Sequence, residues 1–265
     1  MTKKVLITGI SGIVGSSAYM LMSQFPDQYE IYGLGRRRAL SERVFDGRDI
    51  ALPESRHFVA DIADFDAVGA AVEGMDVVVH MAAFLTADWE GVYRDNIGGA
   101  YNVFEACRQA GVKRIVAAST IQVSDGQRQR EPYNAVRSGK FEPLPEGTPL
   151  ISTDVPAEPR NLYAVSKVFN ESLCQVFAHR HDMSCLAIRI GWVLGEDRVP
   201  TPEAEDIWCS QADIARVIRG CVDAPDDLRF GIYYGMSNNR YRWVDLSNGQ
   251  EELGFEPQDR AEDHL

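Results

Sequence analysis

Val5-Leu6-Ile7-Thr8-Gly9-Ile10-Ser11-Gly12-Ile13-Val14-Gly15 opens the chain with an apolar run that breaks at a glycine. Val5 to Ile7 reads as a buried strand. Beyond Gly12 the apolar positions Ile13, Ala18, Leu21 and Phe25 recur at helical spacing. A strand that passes through glycines straight into a helix forms a cradle for phosphate. Gly9 permits the tight turn, Gly12 lets backbone approach a diphosphate, and Gly15 lets helix and strand pack closely. Unpaired N–H groups at the helix start, with the positive end of its dipole, hold the anion. The spacing is G-x-x-G-x-x-G rather than G-x-G-x-x-G. On its own the motif also fits an ordinary strand-to-helix turn.

The rest of the first half repeats this alternation. Candidate strands cover 5–8, 30–34, 57–60, 77–80, 114–118 and 185–190, and candidate helices cover 12–25, 65–72, 93–110 and 162–179. The pattern predicts an α/β fold: a doubly wound, mostly parallel Rossmann sheet with helices on both faces. Ligands of such sheets bind at the carboxyl ends of the strands, where strand order reverses. The glycine turn falls there. Residues 124–160 break the alternation with Pro, Gly, Arg and Glu and no clear period, as a binding loop or a surface insertion would. After an irregular stretch from 191 to about 207, a helix over 211–222, a strand over 230–234 and a short helix over 244–253 follow. This tail is too short for an independent domain. One domain is expected over 1–265, with 1–190 mainly binding a dinucleotide and 191–265 mainly capping a substrate pocket.

Charge and cysteines narrow the function classes. The 265 residues carry 27 basic and 39 acidic side chains, a net charge of −12. That balance argues against nucleic acid and acidic membranes as partners. No stretch is long enough to span a bilayer, and the glycine turn interrupts the only apolar run near the N-terminus. Cys107, Cys174, Cys185, Cys209 and Cys221 form no C-x-x-C pair, which fits buried thiols in a reducing cytoplasm.

Two further signals carry chemistry. In Tyr163-Ala-Val-Ser-Lys167, phenol and amine stand one helical turn apart on one face, behind a helix start at Asn161 or Pro159. A free phenol is a poor base at neutral pH, and a nearby ammonium favours its ionised form. In Val116-Ala117-Ala118-Ser119-Thr120 a buried strand ends in two hydroxyls, placed to bond a substrate oxygen or to cap the turn.

Taken together and in this order, these motifs resemble the extended short-chain dehydrogenase/reductase superfamily over nearly the whole chain. Within it the sequence is most similar to the uronate dehydrogenase branch and its haloarchaeal glucose-6-phosphate dehydrogenase relatives. The likeness extends to Arg189-Ile190-Gly191, Trp208-Cys209-Ser210 and Tyr234-Gly235-Met236-Ser237. It implies cofactor contacts from Gly9, Ser11, Gly12, Ile13, Val14 and Gly15, from Asp61 and Ile62, from Met81, Ala82 and Ala83, and from Asn96 and Ile190. It implies Tyr163 as general acid/base, Lys167 as the residue that lowers its pKa and holds the nicotinamide ribose, and Thr120 with Ser119 at the reacting oxygen. Helices of this kind over 93–110 and 162–179 form dimer interfaces in related enzymes, which implies a homodimer.

Several positions depart from the branch. Ile121 and Gln122 replace its Asn-His, and Trp192 replaces its serine. Glu203 stands where it has an arginine for the substrate's acidic group, which counts against an anionic substrate. Leu85, Ile121 and Trp192 make the pocket more apolar, with Trp192 either wall or core. With Gln122, Glu203 and Trp208 these are the expected substrate-binding residues. The second strand ends in Gly35-Arg36-Arg37-Arg38, with no acid to accept the ribose hydroxyls of NAD. Arginine is shaped for a 2′-phosphate, so Arg36, Arg37 and Arg38 favour NADP(H), with NAD(H) open. The remaining basic cluster, Arg128, Arg130, Arg137 and Lys140, faces cofactor, substrate or solvent. The expected activity is interconversion of hydroxyl and carbonyl on a small sugar-like or cyclic molecule. An epimerase or dehydratase that retains its cofactor, and a non-catalytic dinucleotide sensor, are the alternatives.

Overall fold

The apolar runs become the strands of a single seven-stranded parallel sheet in the computed structural model, which describes residues 2–45, 47–86, 88–135 and 144–265, with Glu203 described for its backbone alone. The strands are β1 (Lys3–Thr8), β2 (Tyr29–Gly35), β3 (His57–Val59), β4 (Val77–His80), β5 (Arg114–Thr120), β6 (Ser184–Ile190) and β7 (Phe230–Gly235), in spatial order β3-β2-β1-β4-β5-β6-β7. β1 pairs with β2 on one side (Val5 with Ile31) and with β4 on the other (Val5 with Val77). Strand order therefore reverses between β1 and β4.

Both faces of the sheet are covered, which explains why its strands read as unbroken apolar runs. Val5, Ile7, Val79, Val116 and Ile188 face the layer of α1 (Ile13–Met22) and α7 (Gln211–Asp223). Leu6, Val78, Ile115 and Ala187 face α2 (Phe65–Val72), α4 (Ala100–Ala110) and α6 (Leu162–Arg180). Burying each such aliphatic side chain contributes roughly 1.5–3 kcal/mol.

The expected elements are present, and their ends differ for local reasons. β5 runs to Thr120, two residues past the expected end, because it pairs with β6 along its whole length. The helix expected over 93–110 is two segments. Val92–Gly99 is wound as a π-helix, which relaxes into α4 at Ala100. Asn161, not Pro159, starts α6: its side chain accepts a hydrogen bond from the Ala164 N–H at 2.8 Å. Between β4 and α4 lies the single turn α3 (Trp89–Gly91), and the stretch read as irregular after β5 holds the short helix α5 (Asp125–Arg128). Segment 191–265 adds β7 and α7 to the sheet layers, then α8 (Ser247–Leu253). It also encloses a separate apolar cluster of Ile121, Ile151, Tyr234, Met236, Trp243 and Val244 beside the end of β5. All five cysteines are buried and unpaired.

Candidate active site

The carboxyl ends of β1, β2, β4, β5 and β6 open into a cleft of about 1230 Å³. The volume accommodates a dinucleotide with a small second molecule. Its floor is the glycine turn. Gly9 has φ +69°, and a Cβ there would lie 2.7 Å from the Ala82 nitrogen. A Cβ at Gly15 would collide with the Gly9 carbonyl. These glycines let β1, β4 and α1 converge, so the unpaired first-turn N–H groups of α1 face the cleft. Beneath the turn, Thr8 Oγ1 and His80 Nδ1 lie 2.8 Å apart and tie β1 to β4. Burial, with the nearby Lys167 charge, holds the His80 imidazole down to about 3, so it is neutral.

Most of the expected site residues line this one cleft: Gly9, Ser11, Gly12, Ile13, Val14, Gly15, Arg36, Arg37, Asp61, Ile62, Met81, Ala82, Ala83, Ile190, Leu85, Ile121, Gln122, Thr120, Tyr163 and Trp192. Trp192 is 42 % exposed and forms wall, not core. Asn161 donates to Gln122 Oε1 at 2.7 Å, which joins the start of α6 to the turn after β5.

Four expected roles need correction, and others fall outside the described residues. Arg38 turns away from the cleft to pair with Glu54. Asn96 is buried behind the wall, where its amide bonds both the N–H and the C=O of Phe84 (2.7 and 2.9 Å) and Ser166 Oγ (3.2 Å). It positions the wall rather than touching what the cleft holds. Ser119 lines the cleft, but its hydroxyl donates to Glu171 at 2.6 Å, so its proton is committed inside the protein. Trp208 is fully buried with Val199, Ala204 and Ala261. An indole needs that apolar shelter where the chain doubles back at the Trp192–Trp208 bridge. Of the remaining basic cluster, Arg130 takes the solvent alternative, pairing with Glu158 at 2.6 Å on the surface. The Glu203 side chain, Arg137 and Lys140 lie outside the described residues.

Tyr163 and Lys167 sit one turn apart on α6, with Lys167 Nζ 5.6 Å from the phenol ring centre. Lys167 is buried, and its amine finds no hydrogen-bond partner among the described residues. Burial holds the amine down at about 8 and pushes the Tyr163 phenol up to about 12. The charge that opposes the rise at Tyr163 is that of Arg43 rather than Lys167. Arg43 lines the cleft on a turn tied to the glycine loop by Ser41 N–H to Ser11 C=O (2.8 Å), and its main chain lies against Gly195. Its only signal in the sequence is its place just beyond the Arg36–Arg38 run. Arg128 also lines the cleft, and its guanidinium binds the Asp206 carboxylate through Nε at 2.6 Å and Nη2 at 2.5 Å.

The residues present fit a nicotinamide dinucleotide. The glycine turn leaves a space that side chains would fill, and the orphaned Lys167 amine needs acceptors such as ribose hydroxyls.

A Rossmann sheet with a glycine cradle at its reversal point and a tyrosine and lysine one turn apart beside a strand-end hydroxyl defines an extended short-chain dehydrogenase/reductase. The chain belongs to the NAD dependent epimerase/dehydratase family, whose model matches residues 5–208. It is 35% identical over 272 aligned positions to the L-arabinose 1-dehydrogenase (NAD(P)(+)) of Haloferax volcanii, covering 97% of each chain. The NAD-dependent glucose-6-phosphate dehydrogenase of the same organism is 29% identical over 98% of this chain and 95% of its own. Among solved structures, uronate dehydrogenase from Agrobacterium tumefaciens superposes with a TM-score of 0.75 at 27% identity, over 99% of this chain and 86% of that one. Among the described residues, no helix is long and apolar enough to cross a membrane.

Proposed function

We propose that this protein is an NAD(P)-dependent dehydrogenase that oxidises a hydroxyl of a monosaccharide-sized sugar to a carbonyl. The observation that carries the reading is the meeting, in one cleft, of the glycine cradle with Tyr163 and Thr120. Names of similar proteins, on arabinose, glucose 6-phosphate and uronates, support a sugar as the substrate class. The chemistry a nicotinamide dinucleotide supplies when bound is acceptance of the hydride from the carbinol carbon. Tyr163, as phenolate, takes the hydroxyl proton as the carbonyl forms. Thr120 Oγ1 hydrogen-bonds the reacting oxygen and fixes its approach. The Lys167 ammonium would hold the nicotinamide ribose hydroxyls, and its charge would favour phenolate at Tyr163. The first turn of α1, with Arg43, receives the diphosphate. Arg36 and Arg37 follow the end of β2, which closes on Gly35 rather than on an acid, and this supports NADP(H) over NAD(H).

Residues 1–190 carry mainly the dinucleotide and 191–265 mainly the substrate in this reading. Tyr101, Leu162, Val165 and Val176 expose apolar surface on α4 and α6, which supports a homodimer through these helices. The test is Tyr163→Phe. Cofactor affinity measured by calorimetry is expected to stay within a few-fold, while turnover falls by about 10²–10⁴-fold. Near-normal turnover in this variant contradicts the assignment.

A further inference from the structure

β2 and β6 stand four strand steps apart in the sheet, with β1, β4 and β5 between them, or about 19 Å. The segments that leave their carboxyl ends nevertheless meet. Gly195, beyond β6, lies against the Arg43 carbonyl and the Phe45 ring, beyond β2, and a Cβ at Gly195 would overlap both. Gly195 has no positive φ, so the glycine serves this close approach and not a turn. The contact spans the ends of β1, β4 and β5, where the glycine turn and Met81–Ala83 lie.

Residues 41–45 are fastened as a strap over the start of α1. The Ser41 N–H donates to the Ser11 C=O at 2.8 Å, and Val44 packs against the core that α1 and α7 cover. Further along, Arg48 donates to Ser16 and Ser17 on α1 (3.2 and 3.0 Å) and to the Gln211 carbonyl at the start of α7. The Gln211 amide donates in turn to the C=O of Leu194 and of Gly195 (2.7 and 3.1 Å). One glutamine thus ties the strap to the seat on which it docks. Ser41 and Arg43 line the cleft from the strap, and Gly191, Trp192 and Val193 line it on the way to the seat. The Arg43 charge opposes the rise of the Tyr163 phenol, so its guanidinium acts on the interior of the cleft.

We infer that 41–45 is a strap closed over the dinucleotide, seated on Gly195, and that its closure holds Arg43 on the diphosphate and sets how fast the cofactor leaves. The inference rests on the dinucleotide reading of the cleft. A dinucleotide in a doubly wound sheet lies across the strand ends at the point of reversal, which is the span the strap crosses. Its departure then requires the strap to lift from Gly195, a step of the kind that limits turnover in many enzymes. Arg43 is an exposed side chain on a surface turn. Seating the turn orders that side chain before the cofactor arrives, so less freedom is lost on binding.

The test reads cofactor binding without sugar, by calorimetry for affinity and by stopped-flow fluorescence of the reduced cofactor for release. Gly195→Ala pushes the Arg43 carbonyl and Phe45 off their seat and is expected to speed release by roughly tenfold or more. Unchanged release from a variant with an unchanged melting temperature overturns the strap. Arg43→Gln alters an exposed side chain, which leaves the fold intact. It is expected to weaken NADP⁺ and NAD⁺ by the same factor, roughly tenfold, because both carry the diphosphate. A loss confined to NADP⁺ puts Arg43 at the 2′-phosphate and overturns the clamp. In the Gly195→Ala background Arg43→Gln is expected to cost clearly less, since the seat no longer holds the arginine. Fully additive losses overturn the coupling of seat and clamp. If these variants respond as expected and no sugar reduces the cofactor, the oxidation reading fails while the strap stands. If the unmodified protein binds neither dinucleotide, both fall.

Discussion

Lys167 illustrates how the site sets function against stability at a single residue. Its amine is buried without a partner and held down at about 8. The folded protein therefore releases this proton before the unfolded chain does, whose lysine titrates near 10.4. The cost of the buried charge is present in full below pH 8 and fades as pH rises from 8 toward the unfolded value. Lys167→Met is expected to stabilise the protein at pH 7 by about 2 kcal/mol, read as a melting temperature about 4–8 °C higher, with the gain shrinking above pH 8. Turnover of that variant is expected to fall by about 100-fold or more. A melting temperature that drops at pH 7 would mean the amine has a partner in solution. At this scale the sequence showed Tyr163, Lys167 and Thr120 through spacing and position at element ends. It did not show that Ser119 is engaged by Glu171, or that Arg128 is engaged by Asp206. Those partners lie 52 and 78 residues away, and only chain closure brings them together.

At the scale of elements, α6 is the part whose placement matters most. Tyr163, Lys167 and Glu171 follow one another at four-residue intervals along one face. Glu171 forms a buried bidentate pair with Arg189 on β6 (2.8 and 3.0 Å) and accepts from Ser119 on β5. Arg189 continues to Ser124 Oγ and Tyr234 OH, at 3.3 and 3.1 Å. This network locks the rotation of α6 against the strand ends that carry Thr120. Removing one partner leaves a charge buried alone, so Arg189→Met is expected to cost about 3–5 kcal/mol in urea unfolding. Glu171→Leu combined with Arg189→Met is expected to recover most of that stability while turnover stays low. If the single variant loses less than about 1 kcal/mol, the network does not hold the helix. The sequence predicted α6 and its start because periodicity and an N-cap asparagine are local signals. The π-helical turn at Val92–Gly99 was not legible. Its helical periodicity matches an ordinary α-helix, and the partner of Asn96 within it, the Phe84 backbone, lies 12 residues away on the cleft wall.

For the whole molecule, sheet order brings distant motifs to one place. The reversal between β1 and β4 puts the glycine turn beside Met81–Ala83, and the sequence of β5 and β6 brings Thr120 and Ile190 to the same edge. Strand–helix alternation made this legible, since right-handed crossovers leave few ways to arrange parallel strands. The course of the tail was less so. Asp213 on α7 accepts from Ser237 and from the N–H groups of Gln258 and Asp259, so the C-terminal stretch is anchored by one buried carboxylate that no local pattern announces. The cleft therefore belongs to the assembled chain, with one wall drawn from residues 120–128, 161–163 and 190–207. The most direct test of the dehydrogenase reading is the near-ultraviolet absorbance of reduced nicotinamide when the protein meets NADP⁺ or NAD⁺ and a panel of aldoses. The expected result is steady accumulation of reduced cofactor in step with loss of sugar. Conversion of sugar to an isomer or dehydrated product, with no net reduced cofactor, would contradict it.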